Sequence, residues 1–325
     1  MNTATQTVTR HIYHLNEITH VPAGSNSATV TVSRLLSGDT LDTTQSTSRG
    51  AVVKGERLQI ALIHMARGTG STIQSHANEQ FNYVLQGALI ADIDGQVFRV
   101  PKDHVVHIPA GMAHSLVADT DKDVIFYAVE DTRGSMASVP IDGDDNGPRH
   151  FPGFGAGANE WKPGANGLPI PQTQNISGKQ LCYVYDIGNL NAVPDYATSA
   201  EVIARNFISK KSSSFGAALR GEKLQVGHIH KGVGSGTKLH THPNEQFSFV
   251  LDGTMIYEIG GQTIEAPPLS ATHIPPGTQH SAIASAAGDV LTFVAKDTSH
   301  GMSGPPVDGI EDGPVYLPGF RPKKQ

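Results

Sequence analysis

The sequence predicts an all-β protein made of two similar domains in tandem. Two observations lead to this prediction. The chain has 325 residues, enough for two domains of ordinary size, and its 35 glycines and 20 prolines mark many turns between short apolar runs. Its second half also repeats the first at a constant interval of 166 residues, as between His76 and His242. An ungapped repeat of this length indicates duplication of a whole domain.

Four pairs of segments carry the repeat, in the same order in each half. They are GERLQIALIH (55–64) with GEKLQVGHIH (221–230), HANEQFNYVLQG (76–87) with HPNEQFSFVLDG (242–253), HIPAGMAHS (107–115) with HIPPGTQHS (273–281), and DGDDNGPRHFPGF (142–154) with DGIEDGPVYLPGF (308–320). Between the second and third segments, IDGQ and EIGGQ stand at equivalent places, and their Asp-Gly and Gly-Gly pairs predict β-hairpins. Short strands at this spacing favour a sandwich or barrel.

The composition between the repeats predicts the domain limits. Residues 1–155 form the N-terminal domain, the Gly-, Pro- and Asn-rich residues 156–180 form a linker, and residues 181–325 form the C-terminal domain. We predict one short α-helix, in PDYATSAEVIARNF, beginning after Pro194.

Charge and cysteine content exclude several classes of protein. The formal charge is −6 and the basic residues are scattered, so nucleic acid is not expected as a partner. The single cysteine, Cys182, excludes an intrachain disulfide. No apolar run approaches the roughly 20 residues of a membrane span, and no signal peptide is visible at the start. A cytoplasmic protein without membrane contact is the expectation.

A cluster of histidines in the second half predicts a metal site. His240 and His242 are one residue apart, so in an extended strand both imidazoles point to one face. Glu245 and Gln246 follow at once, and His280 closes the later segment HIPPGTQH. Imidazoles that converge with a carboxylate or carboxamide oxygen suit a first-row transition metal.

These residues resemble the two motifs of the cupin superfamily, and their duplication resembles a bicupin. The first motif is Gly, five residues, His-x-His, three or four residues, Glu, six residues, Gly, and the second is Pro-x-Gly-x-x-His. In the second half they correspond to Gly234, His240, His242, Gln246, Gly253, Pro275, Gly277 and His280, and in the first half to Gly68, Gln74, His76, Gln80, Gly87, Pro109, Gly111 and His114. Gln246 replaces the usual Glu, as in a three-His-one-Gln subset of the family. The second motif lacks its leading Gly and trailing Asn in both halves.

The resemblance implies two tandem cupin domains, each a double-stranded β-helix or jelly roll with metal inside the mouth of the barrel. It implies one divalent metal per chain on His240, His242, Gln246 and His280, with Fe(II) expected and Mn, Ni or Zn as alternatives. It also implies a homo-oligomer, a dimer or larger.

Two questions about the ligands stay open on the sequence alone. Strand parity favours Gln246 over Glu245, although Pro243 can shift the phase of the strand. In the first half, Gln74 takes the place of His240. The N-terminal set of Gln74, His76, Gln80 and His114 therefore either binds metal weakly or is purely structural, and the structural interpretation is favoured.

The family resemblance implies several functions for such a site. The first is an Fe(II)-dependent dioxygenase that cleaves a small hydroxylated aromatic, enolic or diketone compound with O2, as gentisate, salicylate, hydroquinone and quercetin dioxygenases do. Here His228 and His230, which share a strand face, are the predicted catalytic bases. The second is a non-redox isomerase, lyase, decarboxylase or hydrolase, in which the metal polarises the substrate. The third is a non-catalytic protein that binds a small ligand.

Overall fold

The strands of the first half alternate with tight turns, as predicted. The computed structural model describes residues 8–32, 46–134, 136, 139–141, 147–155, 159–162, 182–190 and 198–322. The strands up to the middle of the chain are β1 Ile12–His14, β2 Thr29–Thr31, β3 Val52–Lys54, β4 Leu58–Met65, β5 Gln74–Ser75, β6 Gln80–Gln86, β7 Ala88–Ile93, β8 Gln96–Pro101, β9 His104–Ile108, β10 His114–Ala118, β11 Val124–Asp131 and β12 Val139–Pro140.

The second half repeats this series. Its strands are β13 Val184–Asp186, β14 Glu201–Ile208, β15 Ser214–Arg220, β16 Leu224–Lys231, β17 Ser235–His240, β18 Gln246–Asp252, β19 Met255–Ile259, β20 Gln262–Ala266, β21 Ser270–Ile274, β22 His280–Ala284, β23 Val290–Asp297 and β24 Val315–Tyr316. No α-helix occurs among the described residues. The all-β prediction is therefore confirmed.

Each half folds into one sheet of seven strands and one of five, which together form a jelly-roll barrel. The N-terminal sheets have the orders β13-β9-β6-β11-β4-β3-β2 and β12-β5-β10-β7-β8, and the C-terminal sheets β1-β21-β18-β23-β16-β15-β14 and β20-β19-β22-β17-β24. The predicted hairpins are present between β7 and β8 and between β19 and β20. Both central residues have positive φ, Asp94 and Gly95 in one turn and Gly260 and Gly261 in the other.

The helix predicted after Pro194 is wrong where the structure describes it. Residues 191–197 lie outside the described residues, and Glu201–Ile208 form strand β14 at the edge of a sheet. Val202 and Ile203 are β-branched, and antiparallel pairing with β15 satisfies the backbone here. Of the predicted linker, residues 159–162 are described, and Trp161 packs against Phe151 and Arg149 of the first half.

The two barrels exchange strands, a feature that the predicted division of the chain does not contain. Strand β1 pairs with β21 of the second half, and β13 pairs with β9 of the first. The largest apolar core lies between the barrels and takes side chains from both halves, for example Tyr127 and Phe249, whose ring centroids are 3.9 Å apart. Two smaller cores lie one inside each barrel. The domain limits themselves stay a prediction.

Candidate metal centre

Three histidines of the second half converge inside the C-terminal barrel. His240 ends β17, His280 begins β22, and the two residues pair directly across the sheet. His242 follows in the loop before β18. One ring nitrogen from each histidine lies within 4.8 Å of the others, and His242 and His280 are buried. In the described part of the chain this is the one group of three such side chains arranged for a metal.

All three imidazoles hold Nδ1 against a backbone carbonyl oxygen. Nδ1 of His240, His242 and His280 lies 2.8, 3.1 and 2.9 Å from the backbone carbonyl oxygens of Lys238, Asn244 and Thr278. A carbonyl only accepts, so Nδ1 carries the proton and Nε2 has the lone pair, which in His242 accepts from Lys296. Burial lowers the pKa of all three rings, to about 4 for His240 and about 3 for His242, which favours the neutral form that ligates metals.

Gln246 completes the cluster, with its oxygen turned toward the histidines. Its Oε1 is 3.2 Å from Nε2 of His242, and its Nε2 donates to Oγ of Ser248 at 2.8 Å. Because the amide nitrogen is held by Ser248, the carbonyl end faces the imidazoles. Three neutral imidazoles and one amide oxygen fit a divalent transition metal, so the donor set that the sequence predicts is assembled in space.

Glu245 points the other way and joins the two barrels. Its carboxylate accepts hydrogen bonds from the backbone amides of residues 56, 57 and 58 at 2.6–2.8 Å, and it lies 2.9 Å from Nε2 of His273. Burial alone would raise its pKa, but the bonds from His273 and the backbone outweigh this effect and lower it. Glu245 therefore faces away from the three histidines, whereas Gln246 faces them.

The first half makes the same contact in the opposite direction. Glu79 accepts from the backbone amides of residues 222, 223 and 224 at 2.7–2.9 Å, and it lies 2.9 Å from Nε2 of His107. We refer to the pairs Glu79–His107 and Glu245–His273 as the interdomain clasps. They give a structural role to His107 and His273, which occupy equivalent positions in the two repeats.

A cavity of about 480 Å³ adjoins the cluster. His240, Gln246 and His280 line one end, and Ala282, Ile229 and Val294 give part of the wall. Loop residues 302–304 and 306 lie at its edge. A cavity of this volume accepts a small organic molecule.

Two buried lysines, Lys231 and Lys296, also line this cavity. The ammonium of Lys231 donates to hydroxyl groups of Ser214 and Thr237. That of Lys296 is 2.9 Å from Nε2 of His242 and 2.9 Å from the carbonyl oxygen of Met302. Burial lowers the pKa of each lysine to about 7. Sequence analysis missed both residues, although the repeat offers a signal, since Met65 and Glu130 occupy their places in the first half.

His228 and His230, the predicted catalytic bases, do not line this cavity. Side chains alternate along β16, and Ile229 and Lys231 take the cavity face. His228 instead stacks on Tyr83 of the first half, with centroids 6.0 Å apart, and His230 stacks on Phe215 at 4.9 Å. Proton transfer to a substrate in the cavity does not fit this placement, because the two rings share the opposite face of the strand.

The N-terminal barrel keeps the outline of the site without the third imidazole. Nε2 of His76 is 3.1 Å from Oε1 of Gln80, and the rings of His76 and His114 are 4.8 Å apart. Gln74 pairs with His114 as His240 does with His280. The interior is filled by apolar side chains, among them Met65, Phe98, Leu116 and Phe126.

Comparison with known proteins supports the fold. A family model for the cupin domain matches residues 61–130 and 227–300, one range in each barrel. The chain thus has the architecture of a tandem cupin, and the match supports a place in the cupin superfamily. No curated protein sequence shows a significant match.

Solved structures with this architecture are distant in sequence. A structure of oxalate decarboxylase, from work on its reaction specificity, is 12% identical with a TM-score of 0.55, covering 96% of this chain and 80% of that one. A variant of the Bacillus subtilis oxalate decarboxylase is 12% identical with a TM-score of 0.54, and the coverage of both chains is the same. AerE from Microcystis aeruginosa is 12% identical with a TM-score of 0.52, and the match covers 76% of this chain and 90% of the other. At this identity the likeness concerns the fold alone.

Within the described residues, the structure contains no helix long and apolar enough to cross a membrane.

Proposed function

We propose that the C-terminal barrel holds Fe(II) on His240, His242, Gln246 and His280 and cleaves a small hydroxylated aromatic, enolic or diketone compound with O2. The observation that carries the proposal is the convergence of three Nε2 atoms and one amide oxygen at the end of a cavity large enough for such a molecule. Bound iron would supply Lewis acidity and a route for electrons from the substrate to O2.

The protein side chains give the site its charge and shape. All four donors are neutral, so the metal would keep its full charge and favour an anionic oxygen of the substrate. The carbonyls of Lys238, Asn244 and Thr278 hold the rings in the tautomer that ligates, and Ser248 holds Gln246. Ala282 and Val294 give part of the cavity an apolar wall.

The test is metal content and O2 consumption on protein purified without added metal or oxygen. We expect about one iron per chain and O2 uptake with at least one member of a panel of dihydroxyaromatic, salicylate-type and diketone compounds. An iron-loaded protein that consumes no O2 with any of them would overturn the proposal.

A second candidate is a non-redox metal-dependent isomerase, lyase or decarboxylase. It is favoured by the same neutral donor set, which suits a metal that only polarises a carboxylate or carbonyl, and oxalate decarboxylase shares the fold. Full turnover under strict anaerobiosis, or with zinc or manganese in place of iron, would select it. A protein that binds but never turns over a small ligand is the third alternative. In each case a homo-oligomer and a small-molecule substrate remain proposals.

A further inference from the structure

The cavity beside the metal cluster contains two ammonium groups that lack a carboxylate partner among the described residues. Ser214, Thr237 and the carbonyl of Met302 are their neighbours, together with His242. No Asp or Glu occurs among the residues that line the cavity. The nearby carboxylate of Asp297 instead accepts from the backbone amides of Glu245 and Ser299, away from the cavity.

Two lysines at the rim of the same cavity, Lys211 and Lys238, are different. Lys238 is bound by Asp308 and Asp312, and Lys211 is bound by Glu311. A buried cation is costly unless an anion compensates it, and hydroxyl groups and carbonyls only partly do so. When the interior pair is protonated, it therefore lacks the compensating negative charge that Lys211 and Lys238 already have.

Metal binding would increase this requirement. In the structure Lys296 donates to Nε2 of His242, and that nitrogen has one lone pair. A metal on Nε2 removes the acceptor, so Lys296 keeps only the carbonyl of Met302. Its remaining N–H groups then need another acceptor in the cavity.

We propose that Lys231 and Lys296 bind a carboxylate of the substrate, so that the cavity selects carboxylate-bearing molecules over neutral ones of the same shape. This inference rests on the proposed metal site, and it names the class of its substrate. A carboxylate oxygen pair can accept from both ammonium groups, and such charge-assisted hydrogen bonds are the strong ones. Thr237 and Ser214 hold Lys231 in place.

The matched change is Lys231→Met, because Met65 fills the equivalent place in the other barrel. Binding is measured by calorimetry on the iron-loaded protein under nitrogen, with acetate, benzoate and 2-hydroxybenzoate against the corresponding amides. We expect at least one of the three acids to bind about tenfold or more tightly than its amide, and Lys231→Met to reduce that preference below about threefold. Lys211→Met at the rim is the control and should keep it.

Two results would overturn the inference. In one, no acid binds more tightly than its amide. In the other, the preference survives in Lys231→Met and in Lys296→Gln, which would mean that the metal alone holds the acid. Lys231→Gln replaces Lys231→Met if the latter does not fold. Since no turnover is measured, a protein that prefers acids through these lysines but consumes no O2 would leave the inference standing and remove the dioxygenase proposal.

Discussion

The two barrels share strand order and turns but differ in what fills them. The N-terminal barrel is packed with apolar side chains, whereas the C-terminal barrel encloses a cavity beside three histidines. The change arises at a few positions that are equivalent in the repeat. They are Met65 and Lys231, Leu116 and Ala282, Glu130 and Lys296, and Gln74 and His240.

This difference shows that one barrel can contribute apolar packing while the other, with the same fold, contains the candidate site. A cavity with buried cations gives up apolar contacts, while a filled barrel and the large core between the barrels retain them. Glu130 illustrates the cost of polarity in a filled barrel, since burial raises its pKa to about 8 and Gln59 and Asn78 both donate to it. The second barrel keeps its open interior while it packs against the first.

The largest difference between the barrels should appear when equivalent histidines are removed. His242→Ala removes a donor from the three-histidine cluster, so metal affinity should fall by more than the roughly 10- to 100-fold that loss of an outer contact to a ligand costs. His76→Ala, the matched change, should leave metal content and activity nearly unchanged. Elemental analysis per chain measures both. Equal metal loss in the two variants would show that the first barrel also binds metal.

Exchange of a wall residue should affect stability in one barrel and binding in the other. Leu116→Ala opens a void in the packed barrel and should lower the free energy of unfolding by about 2–5 kcal/mol. Ala282→Leu puts the larger side chain into the cavity, so it should weaken substrate binding while metal content stays the same. Urea unfolding and calorimetry measure the two effects. Little loss of stability in Leu116→Ala would contradict the assignment of a filled barrel.

The two interdomain clasps have the same kinds of hydrogen bonds, so removal of either glutamate charge should have the same effect on the free energy of unfolding. Glu79→Gln and Glu245→Gln each weaken several charge-assisted bonds, and each should lower the free energy of unfolding by about 1.5–3 kcal/mol at neutral pH. A loss confined to one variant would show that the two contacts are not equivalent.

The pH dependence of the unfolding free energy provides a second measurement on the contact between Glu79 and His107. Burial raises the pKa of Glu79, but bonds from His107 and the backbone amides of residues 222 and 223 lower it below the ordinary value of 4.5 overall. A carboxyl with a lowered pKa stabilises the fold above that ordinary value and loses the contribution as pH falls through its lower folded value. The unfolding free energy should therefore fall less steeply below about pH 4.5 in Glu79→Gln than in the unaltered protein.

The sequence by itself determined the repeat, the hairpin turns and the set of side chains that meet at the candidate metal centre. These features depend on local chemistry: glycine or aspartate at positive φ in Asp94–Gly95 and Gly260–Gly261, and alternation that brings His240 and His242 together. The repeat also placed His280 in the second motif, and the structure brings it to the same point.

Tertiary structure alone decided which face of each strand looks into the barrel. Alternation shows that His228 and His230 share one face and Ile229 and Lys231 the other, but it does not say which pair faces the cavity. That choice depends on packing against the other barrel. The same holds for Glu245, whose partners lie almost 190 residues earlier in the chain, and for β1 and β13, which complete each other's barrels. Contacts at such separation leave no local pattern in the sequence, because neither partner constrains the residues beside it.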